Sequence, residues 1–595
     1  MVDIDIVRKI IAEKSTDFVI NGTQDALVIR TFTGSGKTTT VLNAIDSLGL
    51  RWIYVAPTHD IIKQNVKQGP LRQFNFLHLE GRERCCLRAE LKELIPKGIN
   101  ISGFCDECSL RETECDYYMN QHRAFTETPN ICVTHAHINT WLPMFLNTHY
   151  GDITISDNYD VLIVDENPIT CFLHEEVTSR RELSYIRDVM TLLGMPGQLI
   201  RLIDLLMFTR LNYNELRQIN LHGIDPLRLN KTYSMRLANR YMQGEIDQIP
   251  KNIIPILFKI YENFELGDPI EQMIFYRDRM LNLCYFSPEA LDFDLKIIGL
   301  DGTANQGVWA AMIGHSNFKL LEADYKYKNA YQLVGGSYPI STWKKAKDSM
   351  IKRICPIIDG IAATKKRSVL VCGTKFVNNV ISKNTTQPNI EFATYYNLRS
   401  HNEFYKKCDT VILACEPNIP PDNLVAWEIL SGWSKDILIS IFREEEMLQA
   451  LGRLRQNIES IDGVKRERME VYILPSTGKK EFMTKDMYSD KMEHILLDSV
   501  EYTSSLLPEA HMINLEQLRK SIKGIERLDE TTDVIIDILK SIPNTPTQYS
   551  KYTGMMYSKV RRYFNYMRKM NLIKKVGRIY DITENGKQKL VAEET

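Results

Sequence analysis

The chain has almost no net charge: 74 Lys and Arg stand against 75 Asp and Glu, a balance of −1 at pH 7. This excludes binding of a polyanion through a global positive field, so any nucleic-acid contact must come from local basic surfaces. Long apolar runs are also missing. No stretch approaches the roughly 18 residues of a membrane span, and the mixed-charge start MVDIDIVRKIIAEK is unlike a secretory signal. The expectation is an intracellular protein, in cytoplasm or nucleoid, with no membrane partner. There is no disulfide framework. Of twelve cysteines, seven are scattered singly and five (Cys85, Cys86, Cys105, Cys108 and Cys115) fall within 31 residues. In a reducing compartment such a cluster reads as a metal or iron-sulfur site. Compositional bias is lacking as well: 44% hydrophobic and 25% charged residues are ordinary for a folded protein. A length of 595 residues exceeds one hydrophobic core, so three or four domains are expected.

What is present begins with a strand, loop and helix. ALVIR (Ala26 to Arg30) is a short apolar run, TFTGSGKTTT follows it, and VLNAIDSL then has helical periodicity. Glycines at Gly34 and Gly36 let backbone N–H groups converge on phosphate oxygens at a helix N-terminus, where the helix dipole favours an anion. The expected ATP-binding turn is Thr33, Gly34, Ser35, Gly36, Lys37, Thr38 and Thr39, with Lys37 reaching the β- and γ-phosphates and Thr38 on Mg²⁺. DVLIV (Asp160 to Val164) is a second apolar strand ending in Asp165-Glu166. There Asp165 can complete the Mg²⁺ shell and Glu166 can polarise the attacking water. Thr31 stands where the general phosphate-loop pattern has glycine.

TFTGSGKT resembles the first motif, A-x-T-G-S-G-K-T, of superfamily 2 helicases, and further elements follow in that family's order. WIYVAPTHD resembles motif Ia, which implies a nucleic-acid contact at Thr58. DENP (Asp165 to Pro168) resembles the DExx box with Pro168 in place of histidine, and KIIGLDGTA resembles motif III with Asp301 in place of serine. SVLVCGTK and ATYYNLRSHNEF are similar to motifs IV and V, the latter without its usual glycine. EEEMLQALGRLRQ resembles Q-x-x-G-R-x-x-R. The resemblance implies catalytic roles for Gln449 and Arg453, the latter as arginine finger; Arg455 lies one residue before the family's final arginine.

Between motifs Ia and II the cysteines follow the pattern Cys86-x18-Cys105-x2-Cys108-x6-Cys115. Four thiolates so spaced can wrap a tetrahedral metal or cap a cubane. The interval, the Gly-Arg before the first cysteine and the aromatic pair after the last resemble the iron-sulfur domain of XPD and DinG-like helicases. That implies a [4Fe-4S] cluster with Cys86, not Cys85, as first ligand; Zn²⁺ and ordinary reduced cysteines stay open. Residues 171–280 read as helical, where those helicases carry their Arch domain.

At the C-terminus, Val534, Ile535, Ile538 and Leu539 line one helix, and Val560, Tyr563, Phe564 and Met567 line another. Lys559, Arg561, Arg562, Arg568 and Lys569 occupy the opposite face of the second, and LIKKVGRIYDITENGKQKL reads as a hairpin. From residue 551 onward eleven Lys and Arg face four Asp and Glu, a local +7. This looks like a winged helix-turn-helix that binds DNA through phosphate contacts, with protein docking as the alternative.

The predicted fold is α/β. Two RecA-like P-loop NTPase lobes occupy residues 1–80, 121–170 and 281–310 for the first and 311–523 for the second. A cysteine-ligated insertion spans 81–120, a helical Arch-like insertion 171–280 and a winged helix 530–595. The predicted activity is ATP-dependent unwinding of DNA by a monomer acting on single-stranded and forked DNA, with 5′ to 3′ polarity implied by the resemblance alone. An ATP-switched DNA-binding regulator or replication initiator is the alternative from another class, and an RNA helicase shares the same core motifs.

Overall fold

In the computed structural model the described residues are 4–31, 34–97, 99–127, 129–138, 141–150, 153–207, 213–265, 267, 273–277, 280–286, 291, 295–313, 318–323, 329–333, 338–398, 404–417, 419–452, 454, 460–461, 464–465, 469–475, 480–484, 497–502, 511–513, 538–540, 545–553, 560–561, 564, 573–576, 579–584 and 587. The chain divides into two units. One holds residues 1–347, 366–384 and 388–515, and the other 348–365, 385–387 and 516–595.

Apolar runs without alternation become strands buried on both faces, as in parallel sheets covered by helices. In the first lobe these are β1 (Ala26–Thr31), β2 (Trp52–Ala56), β3 (Leu77–His78), β4 (Ile131–Thr134), β5 (Val161–Asp165), β6 (Lys296–Leu300) and β7 (Phe318–Ala323). They form one parallel sheet in the order β7-β1-β6-β5-β2-β4-β3. The helices α1 (Ile4–Asn21), α2 (Lys37–Ser47) and α3 (His59–Gln68) follow in sequence. Val7, Ile11 and Phe18 of α1 share a core with Val41, Leu42 and Ile45 of α2 on one side of the sheet.

The second lobe repeats the plan. Strands β8 (Ala330–Leu333), β9 (Ser368–Gly373), β10 (Ile390–Thr394), β11 (Cys408–Leu413), β12 (Glu470–Ile473) and β13 (His511–Ile513) are parallel in the order β10-β9-β11-β12-β8-β13. Helices Pro421–Ser431 and Lys435–Ile439 and the turn after them bring Trp427, Leu438 and Ile441 into a core that includes Ala26, Val55 and Val164 of the first lobe. The two lobes therefore share buried apolar surface, and the two-lobed α/β expectation holds.

The insertion between β5 and β6 is helical in its body, with Arg180–Leu192, Gly197–Met207, Pro226–Met242 and Ile254–Glu265. Its ends add something that the helical reading did not contain: Leu173–Ser179, Ile274–Arg277 and Met280–Phe286 form a three-stranded antiparallel sheet. LHEEVTS carries two glutamates, which masks a strand whose pairing comes from a partner a hundred residues away. The cysteine segment does not pack alone. Leu91, Leu94, Ile99 and Ile101 join Leu183, Ile186, Leu237 and Leu257 in one core. Gly103 is seated against Met235, and Lys231 pairs with Asp106 at 2.5 Å.

In the second unit, helix Pro546–Thr553 and the antiparallel hairpin Ile573–Val576 with Ile579–Ile582 are described. Ile538, Leu539, Tyr549, Val560, Phe564 and Ile573 are buried. Phe564 meets Tyr549 and Tyr580 edge to face. The apolar faces expected from the sequence are thus partly seen; Val534, Ile535, Tyr563 and Met567 lie outside the described residues.

Candidate nucleotide site and its surroundings

The turn after β1 is built on backbone that only glycine adopts easily. Gly34 and Gly36 both have φ of 88°, in the left-handed region, and Gly36 caps the N-terminus of α2. A Cβ on Gly36 would come within 3.0 Å of the Arg8 guanidinium, whose Nε donates to the Ser35 carbonyl at 3.1 Å. Thr31, the departure from the glycine pattern, is explained locally. Its Oγ1 lies 2.8 Å from Ser35 Oγ, and its carbonyl accepts from Lys37 Nζ at 2.8 Å. The loop is thereby braced across its mouth. Thr39 is exposed, and Thr33 lies outside the described residues.

The acid strand meets this loop. Thr38 Oγ1 donates to Asp165 Oδ2 at 3.4 Å, so the two residues expected on Mg²⁺ stand together. Tyr54 OH, from β2, donates to the same Oδ2 at 2.5 Å. Burial, then the Asp165 charge, hold the Tyr54 phenol well above its ordinary pKa, so it remains a donor. His135 Nε2 donates to the Asp165 carbonyl at 2.8 Å. Glu166 has φ of 61°, a conformation that non-glycine residues rarely take and that recurs at functional sites. Its N–H donates to Leu300 of β6 at 3.0 Å. Tyr54 and His135 escaped the sequence reading because one sits in the apolar run WIYVA and the other in a segment to which no motif was assigned.

The turn after β6 is built around Asp301. This carboxylate is fully buried, accepting from Thr303 N at 2.8 Å, Thr303 Oγ1 at 2.9 Å and Trp309 Nε1 at 2.9 Å. Burial raises its pKa, and these donors oppose the rise. The second lobe reaches this turn. Gln449 Nε2 donates to Thr303 Oγ1 at 3.5 Å, and Asn305 Nδ2 to Ser440 Oγ at 3.4 Å. Asn167, before the unexpected Pro168, is buried and donates to Glu445 Oε2 at 3.0 Å. Ser440–Glu445 is a π-helical turn, a wide winding that aims side chains differently from an α-helix. Pro57, His135, Glu166, Asn167, Glu446 and Gln449 are among the residues lining a small cleft here. Arg453 and Arg455 lie outside the described residues.

Cys86, Cys105, Cys108 and Cys115 line one cavity of about 190 Å³ together with Arg82, Tyr117 and Tyr118. All four are half-buried. Among the described residues no three cysteine sulfurs lie within 4.8 Å of one another, whereas tetrahedral zinc with bonds of about 2.3 Å holds thiolates roughly 3.8 Å apart. Four thiols around one cavity are the donor set of structural zinc and of iron-sulfur clusters alike. Cys85 contacts the Glu80 carbonyl at 3.8 Å, and burial holds its thiol up at about 11.

Thr58 caps α3, its hydroxyl accepting from Ile61 N at 3.4 Å. Of the basic residues expected on the C-terminal helix, Arg561 is exposed, while Lys559, Arg562, Arg568 and Lys569 lie outside the described residues. Among the described residues no helix is long and apolar enough to cross a membrane.

Residues 530–593 match the winged helix-turn-helix family. No curated protein sequence matches the chain. Among solved structures, the S. tokodaii Xpd4 structure is 12% identical with a TM-score of 0.47, covering 79% of this chain and 95% of that one. A structure titled XPD_APO is 16% identical with a TM-score of 0.44 and the same coverages. S. cerevisiae Dbp5 bound to RNA and ADP BeF3 is 8% identical with a TM-score of 0.34, covering 87% and 93%.

Proposed function

We propose that the chain is an ATP-driven motor of the superfamily 2 type that moves along single-stranded DNA 5′ to 3′ and opens a duplex from a single-stranded tail. The observation that carries this reading is the joint between nucleotide site and second lobe: Asn167 to Glu445 at 3.0 Å and Thr303 to Gln449 at 3.5 Å. A simple ATPase needs no second lobe wired to its acid strand and to the turn after β6. In a motor, a change at the γ-phosphate has to reach the other lobe, and these contacts supply a route.

In this reading Lys37 exchanges its bond to the Thr31 carbonyl for the β- and γ-phosphates of ATP, and the loop N–H groups hold the phosphate oxygens. Thr38 and Asp165 would hold Mg²⁺, which would supply positive charge against the phosphates. Tyr54 and His135 orient Asp165, and Glu166 accepts a proton from the attacking water. Gln449, Arg453 and Arg455 act from the second lobe, with Arg453 as the arginine finger. A [4Fe-4S] cluster held by Cys86, Cys105, Cys108 and Cys115 would tie the insertion into a wedge. Thr58 contacts the strand, and Lys559, Arg561, Arg562, Arg568 and Lys569 give the winged helix its phosphate contacts.

The test is strand separation on forked DNA with a 5′ or a 3′ tail, using anaerobically purified protein with ATP or a non-hydrolysable analogue. ATP-dependent opening of only the 5′-tailed fork is expected. The winged-helix match and the departures at Pro168 and Asp301 favour a second reading, an ATP-switched DNA-binding regulator. Tight duplex binding without opening of either fork would select it.

A further inference from the structure

Beside the root of the cysteine insertion, three imidazoles gather at the carboxyl ends of neighbouring strands. His59 opens α3 after β2, His78 ends β3, and His137 follows β4. His59 Nδ1 and His78 Nε2 are 3.0 Å apart, with ring centroids at 5.2 Å. The His137 ring meets His59 edge on at 5.9 Å. Glu80, two residues past His78, completes the group: one ring nitrogen from each of His59 and His78 and one Glu80 carboxylate oxygen all lie within 4.8 Å of one another. All three side chains are partly buried. Neither the nucleotide reading nor the cysteine cavity makes use of them.

We propose that His59, His78 and Glu80 form a binding site for a divalent transition metal, zinc by its donor set, distinct from the cysteine quartet. Two imidazole nitrogens and one carboxylate oxygen are the ligands of an open zinc site, which leaves a fourth position for water or another ligand. The two facing nitrogens share one hydrogen between them. Metal binding moves that hydrogen to the other nitrogen of its ring, a tautomer change without net proton loss.

The surroundings select the kind of ion. Glu80 is held by Lys63 at 2.9 Å and by Arg84 at 3.6 Å. Coordination therefore has to displace an ion pair in the presence of two cations. Hard ions such as Mg²⁺ and Ca²⁺, which need several oxygens, gain little here, whereas imidazole favours zinc, copper, nickel and cobalt. A bound ion would link the first residue of α3, next to Thr58, to the strand that leads into Gly81 and the cysteine segment. Motif Ia and the insertion would then move as one piece.

The test is equilibrium titration of the full chain with Co²⁺, read by metal content and visible spectrum and confirmed with Zn²⁺. Wild type, His78→Gln and the double variant Cys105→Ser, Cys108→Ser are compared. The double variant should keep one equivalent of Co²⁺, with a ligand-field band and no thiolate-to-cobalt charge transfer, and His78→Gln should lose that equivalent. Should His78→Gln fail to fold, Glu80→Gln in the cysteine background replaces it, with affinity expected to fall by at least the roughly 10- to 100-fold seen when even outer-shell partners are removed. Loss of all bound metal in the cysteine variant, or unchanged content in His78→Gln, would overturn the site.

Discussion

The two lobes are built on the same plan and differ at one junction. In the first, β1 leads into a loop whose two glycines, Gly34 and Gly36, bend in the left-handed region before α2 begins. In the second, β9 passes to helix Lys375–Ser382 through Thr374 alone, in ordinary extended backbone. Side chains fill the space there: Asn378 sits over Gly373 and donates to the Ala393 carbonyl at 2.8 Å, and Thr374 N donates to Cys415 Sγ at 3.4 Å. One lobe turns at its strand end on glycine backbone, and the other packs the matching place with its own side chains. A parallel sheet thus supplies the location, while the length and glycine content of one turn decide whether phosphate can enter.

The most severe way to test that contrast is Lys37→Ala, which in the proposed motor should lower ATP turnover by about 10²-fold or more, since it removes the charge proposed to meet the transferring phosphoryl group. Lys375→Ala, at the matching place in the second lobe, should leave turnover within about twofold. A coupled ATPase assay distinguishes these results, and equal losses would erase the difference between the junctions.

Next in size is the joint. Asn167→Ala leaves Glu445 buried without one donor, and such a loss costs about 1–3 kcal/mol. In the proposed motor, DNA stimulation of turnover should fall about tenfold with a smaller change in the DNA-free rate. Steady-state kinetics with and without single-stranded DNA measure the ratio. An unchanged ratio would mean that the Asn167 to Glu445 bond is packing only.

Acid should separate the lobes more gently. Burial, first of all, lowers His59, His78 and His137 to about 4. The unfolded chain binds these protons near pH 6.5 and the folded chain only near 4, so stability present above 6.5 is lost as pH falls towards 4. Among the described residues the second lobe holds a single histidine, His511 of β13. Thermal unfolding followed from pH 7 to 5 should show an early loss that His137→Gln reduces. A melting temperature flat over that range would contradict the neutral assignment.

The sequence made the strand, loop and helix legible, because left-handed glycines, a lysine and an acid pair are local signals. The parallel sheets were legible for a similar reason: VLIV and VLVC have no polar face to hide. What escaped depends on partners far away in the chain. Asn167 meets Glu445 across 278 residues, and the strand Leu173–Ser179 pairs with Met280–Phe286. The shared core of the cysteine segment and the helical insertion likewise joins Leu91 to Leu237, and no local pattern announces it.

The smallest effect compares two glycines inside strands. A Cβ on Gly299 of β6 would come within 2.7 Å of the Trp309 ring, and one on Gly373 of β9 within 2.6 Å of Asn378 Oδ1. The distances are alike, but the obstacles differ. The Trp309 ring is rigid, fully buried and pinned by its N–H bond to Asp301 at 2.9 Å, so it cannot retreat without breaking that bond. Asn378 presents a single atom at the end of a short side chain, which can turn about its last torsion at the cost of its bond to the Ala393 carbonyl at 2.8 Å. Gly299→Ala should therefore cost towards the upper part of the roughly 1–3 kcal/mol typical of overpacking, and Gly373→Ala towards the lower part. Chemical denaturation of both variants gives the order. If Gly373→Ala proved the costlier, the Asn378 amide would be the more tightly fixed of the two, and the side-chain-packed junction of the second lobe would be as exacting as the glycine turn of the first.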